Sequence, residues 1–127
     1  MVENTDTPKK SVTPELMSCL FSVGSQEFSI DLDYLKEITE LSEIVPLPLS
    51  PSYIEGVTHL RGAAVPVVKF ATLKGIPEEM ATERWLIVLE VNRELLGITV
   101  NEMPDLGINY RGELINVPEF FETYRIR

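Results

Sequence analysis

The sequence predicts an all-β fold built from many short strands. Three observations carry that prediction. Apolar and polar residues alternate from Met17 to Asp31 around a Gly24-Ser25 turn. The run Trp85 to Val91, WLIVLEV, turns at Asn92-Arg93 and returns through Leu95 to Val100. The 7 Gly and 9 Pro fall at short intervals between the apolar runs. That spacing favours a sandwich or barrel over an α/β fold.

Taken in order, residues 1–14 are polar, hold two prolines and read as a flexible tail. Residues 17–31 read as a β-hairpin, a turn follows near Asp33, and Leu35 to Leu41 reads as a strand because Ile38-Thr39 is β-branched. The proline-rich Pro46 to Pro51 fits neither regular element. Ser50-Pro51 looks like the start of a short helix, since Ser caps free N–H groups and Pro suits the first helical position. Val57 to Leu60 and Ala63 to Val68 read as strands separated by Arg61-Gly62. Lys69 to Lys74 reads as one or two helical turns, with Gly75 just past the end. Pro77-Glu-Glu reads as a loop and a subdomain junction, dividing the chain into 15–76 and 77–127. Beyond Val100, Ile108, Tyr110, Leu114, Ile115 and Val117 suggest short strands. Pro118 begins a helical turn through Phe121, and Tyr124 to Arg127 starts a further strand.

Bulk properties exclude several function classes. The 127 residues carry 20 acidic and 11 basic side chains, a net charge of −9. Such a chain repels nucleic acid and anionic lipid surfaces, which need a field of Lys and Arg. No apolar run reaches the length of a membrane span, and the polar start resembles no signal peptide. With Cys19 the lone cysteine, no internal disulfide forms. Together these features point to the cytoplasm.

Chemistry is equally sparse. His59 is the only histidine, with no nucleophile elbow near it. It reads as a strand histidine beside a turn, and Cys19 as a small core residue. One Cys and one His do not make a zinc site without several carboxylates. Asp31 and Asp33 lie within an acidic stretch, residues 27–43, that reads either as a solvated face or as a carboxylate pair for hydrolysis. Calcium-loop spacing, a phosphate-cradling loop and a dinucleotide fingerprint are missing, so no cofactor or metal is expected.

One segment is more specific. Tyr53 to Val68, YIEGVTHLRGAAVPVV, resembles the signature of CheW-like domains through Ile54, Gly56, Val57, His59, Leu60, Arg61, Gly62 and Pro66. His59 stands where that family often has Asn. Phe21, Gly24, Phe28, Ile30, Asp31, Glu37 and Ile38 resemble its first hairpin and third strand, while Ile87 to Leu89 and Gly97 to Val100 resemble a later hairpin. The resemblance covers about residues 16 to 121. It implies two small SH3-like five-stranded barrels with short helical turns, the first over 15–76 and the second over 77–127. It also implies a non-catalytic adaptor that bridges the cytoplasmic tip of a chemoreceptor (a methyl-accepting chemotaxis protein) to the regulatory domain of a CheA-type histidine kinase. The partner-binding residues would then be Leu35, Glu37, Ile38, Ile54, Gly56, Val57, His59, Arg61, Gly62 and Pro66. Leu35, Ile38 and Ile54 supply either an apolar groove or core filling. Arg61 pairs either with a partner's carboxylate or within the chain.

There are two departures from the family pattern. Lys69-Phe70 stands where the family commonly has Asp-Leu, reversing a charge. The chain also stops at Arg127, before the strands that complete the family's second barrel. Trp85 to Val91 and Glu94 to Val100 are therefore expected to leave an open edge, filled by a second copy of the chain in a homodimer or by a partner's strand. Two other function classes remain open: a barrel of SH3 or OB type that binds an unrelated peptide, and an enzyme using Asp31 and Asp33. Fold alone does not choose among them.

Overall fold

A computed structural model of the chain describes residues 17–77 and 84–125. β1 (Ser18–Val23) and β2 (Gln26–Asp31) form the expected antiparallel hairpin, with Gly24 at φ +61° in its turn. Alternation points Cys19, Phe21, Phe28 and Ile30 into the core, and the paired Phe21 and Phe28 rings stack at 5.5 Å. A 3-10 turn, Leu32–Tyr34, follows, and the Asp31 carboxylate accepts the Asp33 N–H at 2.9 Å to cap it. The chain continues through β3 (Leu35–Glu40), β4 (Ile54–Leu60), β5 (Ala63–Val68) and the single helical turn α1 (Phe70–Leu73). Gly75, at φ +69°, ends α1 as expected, its N–H donating to Thr72 and that of Ile76 to Ala71. Next come β6 (Trp85–Val91), β7 (Glu94–Val100), β8 (Asp105–Gly107), β9 (Glu113–Leu114) and α2 (Val117–Tyr124).

These strands form two sheets, in the orders β8-β1-β2-β9 and β3-β6-β7-β5-β4. Each sheet draws strands from both sides of residue 76. β6 is apolar from Trp85 to Leu89 because both its faces are covered there. Ile87 and Leu89 enter the main core with Phe28, Phe70 and Phe121, while Leu86 and Val88 join Val65 and Val67 in a smaller cluster.

Several expectations change. β6 lies between β3 and β7, and β7 lies between β6 and β5, so neither strand carries the open edge that the sequence suggested. Of the two sheets, the four-stranded one contains the N-terminal hairpin. Ser50-Pro51 opens no helix. The Ile54 N–H donates to Pro51 O at 3.0 Å, and the chain enters β4 at once because Ile54 already pairs with Val68. Ile108 and Tyr110 lie outside strands. Val117 is helical, since the Asn116 side chain accepts the Glu119 N–H at 3.1 Å and Pro118 sits in the first turn. α2 runs on through Tyr124, which therefore starts no strand, because Val117, Phe120 and Phe121 bury one helical face. The tail over 1–14 and the Glu78-Glu79 part of the junction lie outside the described residues.

Candidate functional site

β3 and β4 are the first and last strands of the five-stranded sheet, yet the sheet curls until they meet. Two contacts close the gap. Val45, beyond β3, forms an isolated bridge with Val57 of β4, exchanging two N–H···O bonds of 2.8 Å. The Arg61 guanidinium, in the β4–β5 turn, reaches Glu37 of β3 and donates twice, Nε to Oε1 at 3.1 Å and Nη2 to Oε2 at 2.7 Å.

Local sequence sets this geometry. Arg61 and Gly62, at φ +52° and +83°, make the two-residue turn whose twist suits a hairpin. Gly56 faces the Val45 carbonyl and the Ile44 side chain so closely that a Cβ there would collide with both. Pro66 is tolerated in β5 because the pairing of β5 with β7 begins one residue later, at Val67.

The candidate residues are therefore spread across one seam. Glu37 and Arg61 meet directly. Leu35 and Ile38 are half-buried on β3 against the main core. Ile54, only 4% exposed, fills that core and presents no surface. Val57 is half-buried opposite Pro66, and His59 is exposed opposite Ala64. The Arg61 side chain is 74% exposed while that of Glu37 is 19% exposed, so the guanidinium lies over a more sheltered carboxylate. Hydrogen bonds from Arg61 hold the Glu37 carboxyl below its usual range, against a smaller opposing effect of burial, and the Arg61 and Lys36 charges assist. Glu37 in turn raises the guanidinium.

Sequence reasoning missed a second cluster. Arg84, ahead of β6, donates to both Glu55 carboxylate oxygens at 2.9 and 3.0 Å and to Thr99 Oγ1 at 2.7 Å. Nothing in the sequence spacing signals it, because its members lie on three strands' ends. The carboxylate pair does not converge in a comparable way. Asp31 caps the turn and accepts the Tyr110 hydroxyl at 3.2 Å, while Asp33 is exposed. Cys19 is fully buried, and burial followed by the nearby Asp105 charge pushes its thiol up to about 11.

Comparison with known proteins decides the family, because the model of the CheW-like domain matches residues 18–107. The chain belongs to the CheW-like family. It is similar to the chemotaxis protein CheW of Rhizobium meliloti (strain 1021), at 33% identity over 87 residues, 68% of this chain and 56% of that protein. It is similar also to the CheW of Klebsiella aerogenes, at 32% identity over 108 residues, 82% of this chain and 63% of that one. The chain thus spans about three-fifths of the length of the curated relatives it matches. Among solved structures, the scaffolding protein TtCheW of Thermoanaerobacter tengcongensis superposes with a TM-score of 0.64 at 22% identity, over 80% of this chain and 67% of that one. That likeness establishes the shared, mostly β fold with its two sheets. The segment 53–68 that suggested the family from sequence lies wholly inside the matched range.

Proposed function

We propose that this chain is a non-catalytic adaptor in chemotaxis or a related signalling system, coupling a chemoreceptor's cytoplasmic tip to the regulatory domain of a CheA-type histidine kinase. The observation that carries the proposal is the family match, which takes in both strands of the Glu37–Arg61 seam. An adaptor of this kind needs two surfaces and no reacting groups. A locked hairpin turn bearing an exposed guanidinium suits such a surface, because it presents a charge at little further cost in ordering. The proposed contact residues are Leu35, Glu37, Ile38, Val57, His59, Arg61, Gly62 and Pro66, while the buried Gly56 serves the surface by letting the 44–45 segment close against β4. Ile54 contributes from beneath, by packing. A cytoplasmic site of action is part of this proposal, as the family match suggests; among the described residues no helix is long and apolar enough to cross a membrane.

Titration of the protein with a kinase regulatory-domain fragment and a receptor-hairpin fragment tests the proposal. Both fragments are expected to bind. Arg61→Ala is expected to weaken at least one of them by about tenfold while the fold is kept, because a rim charge steers association. Failure of the unsubstituted protein to bind either fragment would overturn the adaptor reading. Unchanged affinity of Arg61→Ala for both fragments would restrict Arg61 to closing the sheet.

A further inference from the structure

A different surface, on the four-stranded sheet, has the chemistry of a second binding site. After β8 the chain leaves the sheet edge and crosses the outer face of the β1–β2 hairpin to reach β9 on the opposite edge. Two fully buried serines hold this strap down. Ser18 Oγ donates to Asn109 O at 2.7 Å, and the Arg111 N–H donates to Ser29 Oγ at 2.6 Å. A Cβ on Gly112 would strike the Glu27 carbonyl, so the strap lies as close to β2 as backbone allows.

Beside the strap lie two adjoining hollows of about 160 and 450 Å³ that share Leu20, Asp105 and Arg111 as walls. Met103, Leu106 and Ile108 complete the apolar lining and are 64%, 47% and 47% exposed. Met103 opens onto the first hollow and Leu106 and Ile108 onto the second, with Leu20 between as their common wall, and large apolar side chains gathered this way mark a binding surface more often than isolated ones do. The charges around them are one-sided. Glu27, Glu102 and Asp105 stand against Arg111 alone, in a chain whose net charge is −9. A second copy of the chain would bring like charge to this rim, which disfavours self-pairing.

We propose that this groove binds a polypeptide segment of another protein, one that carries Leu- or Ile-type anchors flanked by Lys or Arg. The apolar anchors take the place of water over Leu20, Met103 and Ile108, and the basic flanks meet Glu27, Glu102 and Asp105. The site takes Leu20, Glu27, Glu102, Met103 and Asp105 from within the family match and Ile108 and Arg111 from beyond it, lies on the other sheet from the Glu37–Arg61 seam, and does not depend on the adaptor reading.

The test uses the full chain and two fluorescent probes: a short peptide alternating Leu with Lys, and its counterpart with Glu for Lys. Anisotropy is expected to show binding of the Lys peptide alone, weakening as NaCl rises from about 0.05 M to about 0.5 M. Two variants, Met103→Ser/Ile108→Ser and Glu102→Lys/Asp105→Lys, are each expected to lose about tenfold or more in affinity. Leu49→Ser, at an exposed residue of the other sheet's connection, is expected to bind as the unsubstituted chain does. Circular dichroism of each variant checks the fold, and the charge-reversal pair leaves the apolar lining intact should the serine pair fail to fold. The proposal is overturned by equal binding of both peptides, by groove variants that fold and bind unchanged, or by no binding at all. It is overturned as well if light scattering shows a dimer that Met103→Ser/Ile108→Ser abolishes, for then a second copy is the occupant.

Discussion

Replacing Gly56 by alanine tests the seam that brings Arg61 over Glu37. The new Cβ would meet the Val45 carbonyl oxygen and stand 2.6 Å from Ile44 Cγ2. The first neighbour is backbone and has no rotamer to change, so Val45 must move away from β4. Moving it breaks the two 2.8 Å hydrogen bonds between Val45 and Val57. Overpacking of this kind costs about 1–3 kcal/mol. Each lost hydrogen bond costs about 0.5–1.5 kcal/mol, nearer the low end where water replaces the partner. Stiffening of the unfolded chain by alanine, up to about 1 kcal/mol, is offset by strain at φ +159°, a backbone conformation that L side chains rarely adopt. The net expectation is a loss of about 2–4 kcal/mol, a large part of the ~5–15 kcal/mol that holds a typical domain together. For a chain of this size that lowers Tm by about 8–15 °C. Urea denaturation gives the free energy directly, and thermal melting gives the shift. A Gly56→Ala protein within about 0.5 kcal/mol of the parent would refute the reasoning, since it would mean that the 44–45 segment does not lie against β4.

Two further outcomes depend on protonation. The Glu37 carboxyl is lowered in the folded chain, so its pairing with Arg61 stabilises fully above the ordinary carboxylate range and is lost as pH falls through the lowered value. Melting curves of the parent and Glu37→Gln should therefore differ at neutral pH and converge in acid, and a constant gap down to low pH would contradict the pairing. Cys19 shows the opposite sign. Its thiol rises to about 11 on folding, so the protonated form is favoured in the fold, and that contribution is lost as pH climbs from the ordinary thiol value through about 11. Iodoacetamide should modify the folded protein slowly at pH near 8 and the urea-unfolded protein readily; equal rates would place Cys19 at the surface.

What the sequence disclosed was local. The hairpins over 18–31, 54–68 and 85–100 have turns of two residues, and their alternation is short-range, so each could be read from its own window. The Glu37–Arg61 pair was half legible. Both residues belonged to the recognised pattern, but their meeting depends on a sheet that curls end to end, which no window of sequence records. α2 was read too short because Pro118 announces a start, whereas its length is fixed by contacts far away, Phe120 on Phe70 and Tyr124 on Tyr53.

The misplaced open edge has the same origin and the most consequence. A long apolar strand such as Trp85 to Val91 can be read either as a central strand buried on both faces or as an exposed edge awaiting a partner, and its composition is identical in the two cases. Only neighbours decide, and here they are β3 and β7. Of the strands that do lie at the margins of the four-stranded sheet, β9 showed in the sequence only through Leu114, one of several scattered apolar residues, and β8 not at all. Their weakness in sequence follows from their position. A marginal strand of two or three residues, joined to the next by a strap over the hairpin, buries few side chains, so periodicity has nothing to record. The buried serines beneath the strap carry the same lesson. Ser18 and Ser29 read as the polar face of a hairpin, and they are polar because a second layer of backbone, not water, lies over them. Ser29→Ala checks this directly: it leaves the Arg111 N–H without its side-chain acceptor and should cost about 1–3 kcal/mol, while an exposed serine would cost almost nothing. A neutral result in urea denaturation would mean that the strap is held by something other than these hydroxyls.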